Sequence, residues 1–198
     1  MIGYDRYGKG ITITSKQMVR LKNFMGIIIC GLNGAGKSTL GKALAEKFHF
    51  YFIDIENLYF AKADPDYIYA SPRTHEEVEK ILLQEIKMHE NFILASVKGD
   101  YGEVIYSFIQ YAILIDVPKD IRLQRVKMRS FQKFGNRMLS GGDLYEQEKN
   151  FFHFVESRDE NIVEEWVKSL KCPVIRIDGT KPIDENAKFI IERIQNKN

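Results

Sequence analysis

Gly31-Leu32-Asn33-Gly34-Ala35-Gly36-Lys37-Ser38-Thr39 fits the P-loop pattern G-x-x-x-x-G-K-[ST] at every fixed position. An apolar run, Met25 to Cys30, precedes it, and Leu40, Leu44 and Phe48 follow at i, i+4, i+8. The spacing therefore predicts a buried parallel strand, a glycine turn and a helix packed back on the strand. A chance glycine turn with a Lys-Ser pair would not carry both flanks. Glycine admits positive φ, so successive backbone N–H groups can close on phosphate oxygens. The helix N-terminus adds partial positive charge at the same spot. Gly31, Asn33, Gly34, Ala35, Gly36, Lys37, Ser38 and Thr39 are the expected nucleotide contacts. Lys37 would reach the β- and γ-phosphates, and the Ser38 hydroxyl would hold Mg²⁺.

Further along the chain, strand and helix patterns alternate. Phe50-Tyr51-Phe52-Ile53 reads as a second strand that ends at Asp54-Ile55-Glu56. In parallel sheets ligands sit beyond the carboxyl ends of the strands, so Asp54 and Glu56 are candidate site carboxylates; helix capping is the alternative. Residues 61–74 read as a loop, and Val78, Ile81, Leu82 and Ile86 as one face of a helix that ends near Asn91. Phe92 to Ala95 is a third buried strand, followed by Ser96-Val97-Lys98-Gly99, where Lys98 and Gly99 face either a ligand or an ordinary turn. Tyr111 to Val117 is the fourth strand. Arg122, Arg125 and Arg129 then share one helix face that starts at the ligand edge of the sheet, which suits Arg125 and Arg129 to phosphate. Residues 130–142 carry Lys133, Arg137 and paired glycines with little apolar periodicity, as a mobile lid does. A long helix in two stretches, around Phe151/Phe152/Val155 and Ile162/Trp166/Leu170, leads to a fifth strand, Val174 to Ile177, and a terminal helix. Phe151, Phe152 and Trp166 read as core.

Composition sets outer limits. The 198 residues suit one α/β domain with a substantial core. A formal net charge of +2 makes no general case for nucleic acid or membrane, so any basic site must be local. Cys30 and Cys172 sit in apolar runs and read as buried thiols of a reducing, cytoplasmic setting. Residues 1–24 form an arm ahead of the first core strand. Ile11 to Thr14 alternates like an edge strand, and Lys9, Lys16, Arg20 and Lys22 leave open a partner-binding role. Residues 25–198 are the expected domain.

This order of elements resembles the small-molecule kinases of the adenylate, shikimate and gluconate kinase group, over about residues 25–195. The resemblance implies a three-layer P-loop fold: a five-stranded parallel sheet, helices on both faces and a lid at about residues 130–142. Phe52-Ile53-Asp54-Ile55-Glu56 is similar to the F-x-D-x-D segment of shikimate kinases, which implies Mg²⁺ at Asp54 and an acceptor hydroxyl at Glu56. Pro72-Arg73-Thr74-His75-Glu76 is similar to their F-R-x-x-E segment, which implies that Arg73 binds an acceptor carboxylate. Arg125-Val126-Lys127-Met128-Arg129 resembles the R-x-x-x-R at the lid entrance of adenylate kinases, and Arg137 would join it on the transferring phosphate. Asp178-Gly179-Thr180-Lys181-Pro182 resembles the loop against the adenine ring, implying contacts from Gly179, Thr180 and Pro182. The glycine triplet after strand three is replaced here by Ser96-Val97-Lys98-Gly99, so nucleotide binding carries over more fully than acceptor identity. Asp116 imitates a Walker B aspartate, but Asp54 is the preferred metal residue.

The expectation is a kinase that uses ATP and Mg²⁺ on a small hydroxylated or phosphorylated acceptor, with no nucleic acid or membrane partner. A nucleotide-binding regulatory protein or a partner-dependent NTPase is the alternative.

Overall fold

The structure, a computed structural model, describes residues 2–4, 10–12, 24–60 and 66–196. Its centre is strand β3 (Met25–Cys30). Ile27 and Ile29 face one side of the sheet, Ile28 and Cys30 the other, and all four are buried. A strand buried on both faces needs helices on both faces, and the chain supplies them. Strands β4 (Tyr51–Asp54), β5 (Asn91–Ala95), β6 (Tyr111–Asp116) and β7 (Val174–Asp178) complete a sheet of order β4-β5-β3-β6-β7, parallel throughout. This is the expected five-stranded α/β architecture.

Helices α1 (Lys37–Phe48) and α8 (Ile183–Gln195) cover one face through Leu40, Leu44, Ile190 and Ile194. Helices α3 (His75–Met88), α4 (Glu103–Tyr106) and α7 (Ile162–Lys168) cover the other through Val78, Leu82, Ile86, Ile105 and Trp166. Each such aliphatic side chain contributes about 1.5–3 kcal/mol on full burial. Thr74 and Glu77 set the start of α3 by a reciprocal capping box. A short α2 (Ile55–Tyr59) follows β4 directly.

Four features differ from the sequence expectation. The N-terminal arm contains two strands, β1 (Ile2–Tyr4) and β2 (Gly10–Thr12), paired antiparallel as a separate two-stranded sheet rather than an added edge. Ile13, Thr14 and the arm's Lys9, Lys16, Arg20 and Lys22 lie outside the described residues. The lid region is not an open loop. Helix α5 (Lys119–Phe134) runs into it, Gly135 stops the helix with φ 56°, and a 3₁₀ turn (Gly135–Met138) follows. The long helix is two, α6 (Tyr145–Ser157) and α7, with a break at 158–161. Finally, Phe151, Phe152 and Cys172 are only partly buried.

Gly26 shows how tightly the central strand is packed: an added Cβ would run into the Phe108 carbonyl and the Phe92 ring. Gly26→Ala should therefore lower stability by about 1–3 kcal/mol, read as a fall in thermal midpoint. An unchanged midpoint would mean that this strand has slack.

Candidate active site

The carboxyl edge of the sheet opens into a cavity of about 300 Å³. Its walls come from the turn after β3 (Asn33, Gly34, Gly36), the start of α1 (Lys37, Ser38, Thr39), the end of β4 (Asp54, Glu56), the end of β5 (Ala95, Val97) and α5 (Arg125, Arg129). Five segments from between residues 33 and 129 meet here because a parallel sheet brings its strand ends to one edge.

The turn has the geometry that the sequence requires. Gly36 has φ 99° and nothing within 4 Å of an added Cβ, so its conformation and not crowding demands glycine. Gly34 has φ 82°, and a Cβ there would meet the Arg122 carbonyl, so α5 closes on the turn at backbone distance. Lys37 Nζ folds back on the turn and donates to the Leu32 carbonyl at 3.0 Å. Burial pulls its pKa from 10.5 down to about 8. Arg129 and Arg158 contribute to that fall, and Asp54 opposes it. Lys37 thus waits for a counter-charge.

Asp54 ends β4, and its Oδ1 accepts the Glu56 N–H at 3.2 Å as the N-cap of α2. Capping and cavity lining are therefore both true of this residue. Ser38 and Asp54 bring one hydroxyl and one carboxylate to the same cavity. That hard, sparse donor set fits Mg²⁺, which keeps waters and takes phosphate oxygens. Among the described residues no three His, Cys, Asp or Glu side chains gather into a metal cage. Asp116 sits 3.9 Å from Arg176 and lines a different, smaller cavity behind the turn.

Arg125 lines this cavity and a second one of about 190 Å³ beside Gly179, whose carbonyl it binds at 3.1 Å. Gly179 is tightly packed, since a Cβ would strike Ile115 and Val117. The Thr180 N–H and hydroxyl both bind Asp178 Oδ1, and Pro182 caps α8; neither residue lines that second cavity.

Four expected residues are placed elsewhere. Arg73 donates to the Leu58 carbonyl at 2.7 Å and ties the loop before α3 to α2, outside the cavity lining. Lys98 pairs with Asp100 at 2.8 Å. Gly99 packs inward, where a Cβ would meet Ile28 and Trp166. Arg137 is chelated by Asp143, its Nη2 2.6 Å from Oδ2, and donates to the Asp66 carbonyl. Lys133 Nζ donates to Tyr69 Oη at 2.7 Å, and Tyr69 Oη donates to Glu56 Oε1 at 2.8 Å. The segment at 130–142 thus reaches Glu56 through Tyr69.

Two further arginines, which the sequence pattern does not mark as site residues, meet the turn. Arg158, in the break after α6, donates to Asn33 Oδ1 at 2.8 Å across 125 residues of sequence. Burial pulls its guanidinium below the ordinary range, opposed by Asp100 and Tyr101. Arg122, which shares the basic stripe, is 3% exposed and is held by both oxygens of Glu160 at 2.6 and 2.8 Å. It is a brace for the turn, not a ligand-facing cation.

A kinase-like P-loop protein is what this sheet, turn and arginine-lined cavity define. The chain belongs to the AAA domain family, whose model matches residues 27–137. An uncharacterized protein of Bacillus subtilis, YqaC, is 30% identical over 174 residues, covering 84% of this chain and 95% of that one. A shikimate kinase of Bacteroides fragilis is 26% identical over 117 residues, 54% of this chain and 64% of its own length. The fold matches that of Acinetobacter baumannii shikimate kinase in complex with shikimate, with a TM-score of 0.54 at 17% identity over 89% of this chain and 96% of that one.

The brace gives a stability test. Glu160→Ala leaves the buried Arg122 guanidinium without its bidentate partner and should cost about 2 kcal/mol, less than for a fully buried pair because Glu160 is itself half-exposed. Urea unfolding measures it. A cost near zero would place Arg122 in contact with water.

Proposed function

We propose that the protein is an ATP-dependent, Mg²⁺-requiring kinase that moves the γ-phosphoryl group to a small acceptor bearing a hydroxyl or phosphate. The observation that carries this reading is the convergence of Lys37, Ser38, Asp54, Arg125 and Arg129 on one cavity at the sheet edge. Phosphoryl transfer demands positioning and charge neutralisation more than covalent chemistry.

The turn amides and Lys37 would hold the β- and γ-phosphates, and Arg125 would span from them toward the base. Mg²⁺ at Ser38 and Asp54 would supply further neutralisation of the phosphate oxygens. Arg129 faces the same space and would take charge that builds on the transferring group. For a hydroxyl acceptor, its oxygen bonds phosphorus as the bond to the bridging oxygen of ADP breaks, and its proton passes to Asp54 or Glu56. Glu56 is held for that task by the Tyr69 hydroxyl. An anionic group on the acceptor would draw on Arg73 or Arg158 only by displacing the Leu58 carbonyl or the Asn33 Oδ1 that each binds. The shikimate kinase relatives agree with an acceptor of this class.

Residues 130–142 would act as the lid. In this arrangement Arg137 is held by Asp143, so reaching the triphosphate requires exchanging that partner. Hydrogen exchange over 130–142 should slow on adding Mg²⁺ and a non-hydrolysable ATP analogue. Protection confined to the turn after β3 would make the segment a fixed surface feature.

The defining test is ADP formation from ATP and Mg²⁺ across a panel of small hydroxylated and phosphorylated metabolites. One class of acceptor should raise the rate, and Lys37→Ala should abolish it with an unchanged circular dichroism spectrum. Nucleotide binding with no stimulation by any small acceptor would favour a regulatory or partner-dependent NTPase. Full activity in Lys37→Ala would remove the kinase reading.

A further inference from the structure

The second cavity beside Gly179 has apolar walls from Ile115, Ile177 and Ile183, with polar groups at its margins. Most of those polar groups already have partners. Arg125 is bound to the Gly179 carbonyl, and Lys181 pairs with Glu185 at 2.6 Å. Asn186, on the first turns of α8, is different. It is 6% exposed, lines the cavity, and donates through Nδ2 to the Asp178 carbonyl at 2.8 Å.

That bond fixes which way the amide points. A backbone carbonyl can only accept, so the nitrogen must face it and Oδ1 must face away. Among the described residues Oδ1 has no hydrogen-bond partner. Nor is it sealed from solvent, because among the described residues the only sealed side-chain oxygen or nitrogen without a partner is Glu148 Oε2. An open, unpaired acceptor on a side chain that is otherwise buried opens onto the cavity its residue lines.

We propose that Asn186 Oδ1 reads the exocyclic amino group of the nucleotide base and selects a 6-amino purine over a 6-oxo purine. This rests on the nucleotide-site reading above, since phosphates on the turn are what bring a base to this cavity. A 6-amino group donates to Oδ1. A purine without the substituent leaves Oδ1 buried and unsatisfied, and a 6-oxo group sets oxygen against oxygen in an apolar pocket. A site built to hydrogen-bond a ligand group rejects analogues lacking it far more strongly than an apolar pocket would. Lys181 and Arg125 cannot substitute, because both are donors and would favour the 6-oxo base.

Calorimetric titration of the whole protein with ADP, purine riboside diphosphate and IDP tests this without a mutation and without turnover. ADP should bind about tenfold more tightly than purine riboside diphosphate, with IDP weaker still. Asn186→Ala should weaken ADP to within about twofold of purine riboside diphosphate and leave the latter's affinity unchanged. Equal binding of all three by the wild-type protein would overturn the role of Asn186 while leaving the nucleotide site standing. Failure of all three to bind would overturn the nucleotide site itself. The comparison of ligands on the wild-type protein decides the matter even if Asn186→Ala does not fold.

Discussion

Lys37 carries a positive charge into surroundings that oppose it. Burial, then Arg129 and Arg158, work against its proton, and Asp54, with the Leu32 carbonyl that accepts its hydrogen bond, works for it. Such an arrangement costs stability in the free protein and is retained where an anion will complete it. The position of Lys37 is in turn fixed by elements it does not touch. It begins α1, α1 packs on β3 through Leu40 and Leu44, and β3 is held between β5 and β6. The core of the sheet therefore sets where the charge sits.

The turn that presents Lys37 is also gripped from outside. The start of α5 meets it at backbone distance through Gly34, and the break between α6 and α7 reaches it twice. Glu160 holds Arg122 beneath the turn, and Arg158 holds Asn33 within it. A single continuous helix could not place both residues there, because Arg158 and Glu160 would fall on different faces. The interruption is what gives the turn its second support. The segment at 130–142 connects to the opposite side of the site through Lys133, Tyr69 and Glu56. That segment and Glu56 are thereby joined through one hydrogen-bonded tyrosine.

What could be read from sequence was what neighbouring residues determine. Strand, glycine turn and helix occur in one run of residues, so the parallel sheet, the phosphate-facing turn and the strand-end position of Asp54 and Glu56 were legible there. Arg125 and Arg129 were legible from helix spacing plus the known edge of the sheet. The same spacing could not separate Arg122, whose Glu160 partner lies 38 residues on. Arg73 resembled part of a shikimate kinase segment and Arg137 lay in the expected lid, but nearby groups, the Leu58 carbonyl and Asp143, satisfy them first. Arg158 and Asn186 carry no motif; they became visible only when the fold brought them to Asn33 and to the cavity beside Gly179.

Proton uptake on nucleotide binding tests the role of Lys37 most directly. ADP can be titrated calorimetrically at pH 9 in two buffers of different ionisation enthalpy. With a free pKa of about 8, Lys37 is mostly neutral at pH 9, and pairing with phosphate must restore its proton. ADP is fully ionised there, and burial pushes the neighbouring Cys30 thiol up to about 12, so neither contributes. Uptake should be close to one proton at pH 9 and should fall away as pH is lowered through 8. Affinity should accordingly fall as pH rises through 8, and Lys37→Arg should bind with no uptake at pH 9. Tight binding at pH 9 with no proton taken up by the wild-type protein would mean that Lys37 does not meet the phosphates.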